Sequence, residues 1–135
     1  MNAPSVDIKE ILEDSSSGLG LTFGTDLFIG REPSAKGAAD NCVTIFDTPG
    51  ESPLLTLDGG GYYYPSVQIL VRNIDYRTGW DLIHDIRVSL HGRANETWGD
   101  ETLYTVIKAA GDIAFLKWDE NDRAKFVANF DMQRR

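Results

Sequence analysis

Between Asp75 and Gly92 the apolar residues Tyr76, Trp80, Ile83, Ile86 and Leu90 are spaced by three and four, which places them on one face of a helix. Arg77, Asp81, His84 and Asp85 occupy much of the other side, with Asp75 placed to cap the start and Gly92 to stop the end. A shorter stripe, Ile8, Ile11 and Leu12, predicts a first helix capped by Ser5 and running to about Ser15. Elsewhere the period is two. Val67, Ile69 and Val71 alternate with Ser66, Gln68, Leu70 and Arg72, which predicts a strand over 64–74. Short apolar runs predict strands near 26–31 and 42–47, and β-forming residues predict three more at 103–109, 113–118 and 125–132. In the last of these Phe126, Ala128, Phe130 and Met132 alternate with polar neighbours.

The order α-β-β-β-α-β-β-β is dominated by hairpins. It predicts an α+β fold, with a mainly antiparallel or mixed sheet and two helices packed on one face. A length of 135 residues, 41% hydrophobic and 25% charged, fits a single domain over residues 1–135. The segment 48–63 is rich in Pro and Gly and is read as an excursion from the sheet rather than a turn.

The formal net charge of −8 argues against a surface built to grip nucleic-acid phosphates. It does not exclude a protein past which DNA must move without sticking. No apolar run approaches the roughly twenty residues of a membrane span, and the first residues lack the layout of a signal peptide. A cytosolic, untargeted product without membrane association is therefore expected.

Candidate chemistry is sparse. Cys42 is the only cysteine, which excludes an intrachain disulfide, and its place in a strand suits a small apolar filler. His84 and His91, seven apart, read as a solvated and a helix-terminal histidine rather than a metal pair. The glycines of 18–24 lack a following Lys-Ser/Thr and come after a helix, so a phosphate loop is not expected. The acidic run 119–122 lacks the central glycine of a calcium loop and reads as a solvated hairpin turn. No nucleophile elbow is present. No catalytic residue, metal or cofactor is predicted.

The segment 58–65 differs: three glycines precede Tyr62, Tyr63 and Tyr64. The tyrosines either cover a sheet edge or form a docking loop toward a neighbouring subunit or partner. Trp98, in a second polar loop over 95–101, raises the same two readings. If the loops dock, Tyr62, Tyr63, Tyr64 and Trp98 are the candidate contact residues.

Three segments carry a family resemblance in shared order: Phe28-Ile29-Gly30-Arg31-Glu32-Pro33, the run from Asn41 to Gly50, and the run from Tyr64 to Arg72. Followed by the helix from Asp75 and a closing strand at 126–132, they resemble the tail-terminator, or tail-completion, proteins of long-tailed bacteriophages. The likeness extends over about residues 5–132; segment 48–63 has no assigned counterpart. The resemblance implies a non-enzymatic virion protein, assembled in the host cytoplasm. It implies a homomeric ring, usually a hexamer, on the last ring of the tail tube protein. Such a ring ends tube polymerisation, meets a head-side connector protein and lets DNA pass unbound. The competing readings are another neck component, such as a head-closure or adaptor ring, and a small cytosolic α+β enzyme or ligand-binding module.

Overall fold

Proline at the first helical position starts α1 (Pro4–Glu13), where its missing N–H costs nothing. The computed structural model describes residues 1–57 and 60–135. Within it Ala3, not Ser5, precedes the helix, and no side chain from the helix itself caps it. Ser5 is buried one residue inside, where its backbone N–H and hydroxyl donate to the carboxylate of Asp47 at 2.9 and 2.7 Å. The expected cap is thus corrected: the sheet supplies a carboxylate to the positive end of the helix. Replacing Asp47 with alanine should cost about 1–3 kcal/mol, seen as a lower urea midpoint. A loss below about 0.5 kcal/mol would mean that water substitutes for the carboxylate.

A single 3-10 turn (Ser15–Ser17) follows α1. The second helix, α2 (Tyr76–Leu90), begins where expected, with Asp75 accepting from the Thr78 backbone N–H at 3.0 Å. The Thr78 hydroxyl and N–H hold the Asp75 carboxyl below its usual range. Ile83, Ile86 and Leu90 are fully buried, but Tyr76 and Trp80 remain 44% and 39% exposed. The predicted apolar stripe is therefore correct for its C-terminal part. Its first two members reach the rim of the sheet rather than the centre.

Among the described residues seven strands form one mixed sheet: β1 (Leu27–Ile29), β2 (Cys42–Leu55), β3 (Gly61–Asn73), β4 (Glu96–Trp98), β5 (Thr102–Ala109), β6 (Ala114–Trp118) and β7 (Ala124–Arg134). β1 runs parallel to β2, and every other pairing is antiparallel. The spatial order is β1-β2-β3-β7-β5-β4. One edge of β7 pairs with β3, while the other is divided between β6 and β5. β4 is additional to the predicted order and occupies the segment read as a second loop.

The largest departure lies in 48–63. This segment is not an excursion, because β2 and β3 continue through it as a long hairpin arm, pairing as far as Leu55 and Gly61. The two turn-formers that suggested a loop, Pro49 and Pro53, fall at register shifts between Thr48 and Glu51 and between Glu51 and Leu54. Such irregularities accommodate a residue that cannot donate to the ladder. Gly50 has a separate cause: a Cβ there would lie 1.8 Å from the Tyr64 carbonyl oxygen. Asp58 and Gly59, in the expected glycine loop, lie outside the described residues.

Both helices cover the sheet face that carries Val43, Ile45, Val67, Ile69, Val71, Ile107, Phe126 and Phe130, and one apolar cluster joins them. A charged group is buried beneath α1. The Asp7 carboxylate accepts from the Tyr104 hydroxyl at 2.6 Å and from Arg134 Nη1 at 3.5 Å. Burial first, and then the bond to Asp7, pushes the Tyr104 phenol well above its ordinary range.

Candidate assembly surface

The hairpin arm extends beyond the layer covered by helices, so its end has no cover from the described residues. Leu54 and Leu55 are 54% and 88% exposed, and Leu57 is also exposed. Three leucines within four residues at a strand tip form an apolar patch that a free protein rarely leaves in water. Among the described residues, the outer edge of β2 pairs with no strand over its distal half, since β1 pairs only with Val43 to Ile45. An open strand edge that ends in an apolar tip is a template for another chain.

The three tyrosines lie in β3, not in a loop. Tyr62 is opposite Leu54 and Tyr64 opposite Glu51, while Tyr63 is opposite Arg134 of β7. Strand alternation puts Tyr62 and Tyr64 on one face and the exposed Tyr63 on the other. Tyr62 is partly committed, because Arg135 Nη1 donates to its hydroxyl at 3.3 Å. Tyr64 lines a shallow groove with Glu51, Ser66, Lys108 and Asp131 on the sheet face away from the helices. Trp98 is also in a strand, β4, and half-buried, with its indole N–H donating to Glu96 at 2.8 Å. By register it sits three strand spacings from Tyr63, so the structure groups the tyrosines and leaves Trp98 apart.

Sequence reasoning missed a second apolar surface. Tyr76 and Trp80 of α2 meet Phe115 and Trp118 of β6 around the buried ring of Phe126, with centroids 4.9 to 6.2 Å apart. Tyr76, Trp80, Phe115, Leu116, Trp118 and nearby Ile74 are all exposed. The available signal was β6 itself, since three of its five residues are large and apolar while none is buried. Its outer edge pairs with no other described strand.

The segments weighed for chemistry are occupied structurally. In the 18–24 loop, the Thr22 and Phe23 N–H groups donate to the carboxylates of Asp26 and Glu13 at 2.7 and 2.9 Å, leaving them unavailable to an anion. Asp119 closes the β6–β7 turn by accepting from the N–H groups of Asn121 and Arg123. His84 is exposed, and His91 Nδ1 accepts from the Ala109 N–H at 2.9 Å, tying the end of α2 to β5. Burial, the largest influence on it, pushes the Cys42 thiol upward and away from reactivity. Among the described residues no group of three or more His, Cys, Asp or Glu could hold a metal ion.

The profile of one family, described as bacteriophage tail terminator protein, matches residues 16–135. The chain belongs to that family. It is thus a structural tail protein of a phage-type virion, which assembles with other virion proteins. The fold has a solved counterpart in a chain of the virion of a native gene transfer agent particle, at a TM-score of 0.69 and 14% identity. That match covers 98% of this chain and 94% of the other, and extends the shared fold to α1, which the family profile does not reach. No curated protein matches the sequence. For a tail terminator chain, two uncovered apolar surfaces are more informative than any pocket, because its partners are proteins.

Proposed function

We propose that this tail terminator chain works as one domain that closes into a homomeric ring, usually six copies, at the head-proximal end of the tail tube. The ring ends tube polymerisation on one face, presents the other to a head-side connector protein, and leaves a passage for DNA. The observation that carries this reading is the β2–β3 arm, whose leucine tip is exposed and whose distal edge is unpaired. A closed ring covers both. Tyr63, exposed beside the arm, is its candidate aromatic contact, with Tyr62 and Tyr64 on the opposite face. Trp98, half-buried in β4, contributes through the other end of the sheet. The acidic balance of the chain suits a passage that repels DNA rather than holds it.

Mass measurement of the purified chain over a range of concentrations tests the ring. A discrete closed oligomer is expected. Replacing Leu54, Leu55 and Leu57 with serine should shift it to monomer without lowering the thermal midpoint, since these side chains contribute nothing to the core. A chain that stays monomeric throughout, or a triple variant that still assembles fully, defeats the proposal.

A further inference from the structure

We infer that the aromatic surface of α2 and β6 is the socket for the β2–β3 arm of the next copy of the chain. The inference rests on the ring reading and assigns its interface.

The exposed large apolar side chains are not scattered. Apart from Met1, Phe23 and Val88, they fall into two groups: Leu54, Leu55, Leu57 and Tyr63 on the arm, and the surface around Phe115 and Trp118. Strand β3 links the two. It leaves the arm at Gly61 and ends at Asn73, immediately before Ile74 and Tyr76. Thirteen residues of strand separate the groups by roughly 40 Å, so they cannot meet within one copy. A ring requires two different surfaces on each subunit, placed apart and matched to each other. These two satisfy that condition.

The charges match as well. From Gly37 to Val71 the sequence has no Lys, Arg or His, while Glu51 falls in the arm. Glu51 is exposed and has no ion-pair partner among the described residues. At the socket, Arg77 is exposed and likewise without an ion-pair partner among the described residues. Of the nearby acids, Asp75 is engaged by Thr78 and Asp119 by Arg123, Asp81 lies about 100° around the helix from Trp80, and Glu120 lies in the turn beyond the end of β6. The backbone is complementary too: among the described strands β6 and the distal half of β2 each have an unpaired edge, so the arm can add to β6 through residues other than Pro49 and Pro53.

Cysteine cross-linking tests the assignment. In a Cys42→Ala background, one preparation carries Leu55→Cys and a second carries Leu116→Cys; both sites are exposed, and unchanged melting confirms folding. The preparations are treated with a short bismaleimide, separately and after mixing. The expected result is a covalent dimer in the mixture, well above either preparation alone, and a ladder ending at the ring size when one chain carries both cysteines. Oligomers that form but yield tip-to-tip dimers, or no cross-link, overturn the socket and leave the ring standing. Absence of any oligomer overturns the ring itself.

Discussion

Replacing Asp7 with alanine is expected to lower the unfolding free energy by about 3–5 kcal/mol, the usual cost of breaking a buried ion pair from one side. Asp7 has no solvent exposure, and Arg134 retains only 7%. The arginine keeps two neutral acceptors after the change, the Asn2 carbonyl and the Tyr104 hydroxyl. Its Nε already lacks a partner, so the remaining shell cannot absorb an uncompensated charge. Tyr104 also loses the oxygen to which it donates. The companion variant Asp7→Ala with Arg134→Met removes both charges and should recover a large part of the loss. Urea denaturation of the three proteins decides the matter. A single variant within about 1 kcal/mol of the parent would show that the pair is solvated after all.

The second large effect is expected at Phe126. Its ring is fully buried between α2 and the sheet, and Tyr76, Trp80 and Phe115 stand around it with centroids 4.9 to 6.0 Å away. The helix comes this close because residue 79 is glycine; a Cβ there would lie 2.8 Å from the Phe126 ring. Phe126→Ala should cost about 3–5 kcal/mol, from lost burial together with the cavity left in a rigid site. The consequence reaches past stability, because the exposed aromatics of the socket rest on this one ring. Hydrogen exchange should therefore show the β6 amides opening before the rest of the sheet, while β2 and β3 keep their protection. Uniform loss of protection across all strands would refute that order.

The legible parts of the fold were those with a sustained period. The alternation in 64–74 and 125–132 located β3 and β7, and the spacing of Ile83, Ile86 and Leu90 located the buried side of α2. What escaped was set by tertiary context. Pro49 and Pro53 carry a loop signature, but bulges let an arm absorb them without ending the strands. Tyr76 and Trp80 obey the helical period yet stand over the rim of the sheet, which no local pattern reports. Asp7 reads as an ordinary first-turn acid, although Arg134 continues the inward alternation of Phe126, Ala128, Phe130 and Met132 and so hinted at a buried cation. The candidate contacts were half legible: composition pointed to Tyr62, Tyr63 and Tyr64, while the leucine tip and the socket emerged only from exposure in three dimensions.

The divided edge of β7 also sets an order of events. β2 and β3 are neighbours in the chain and can zip up as a local hairpin, whereas β7 must find β3 across a separation such as the 65 residues between Ser66 and Asp131. β6 and β7 are also joined by a short turn, but the aromatic surface is complete only when α2 has packed against Phe126. The arm can thus exist before its receptor does. If the proposed socket receives the arm of the next copy, a subunit still folding offers its arm before it can accept one.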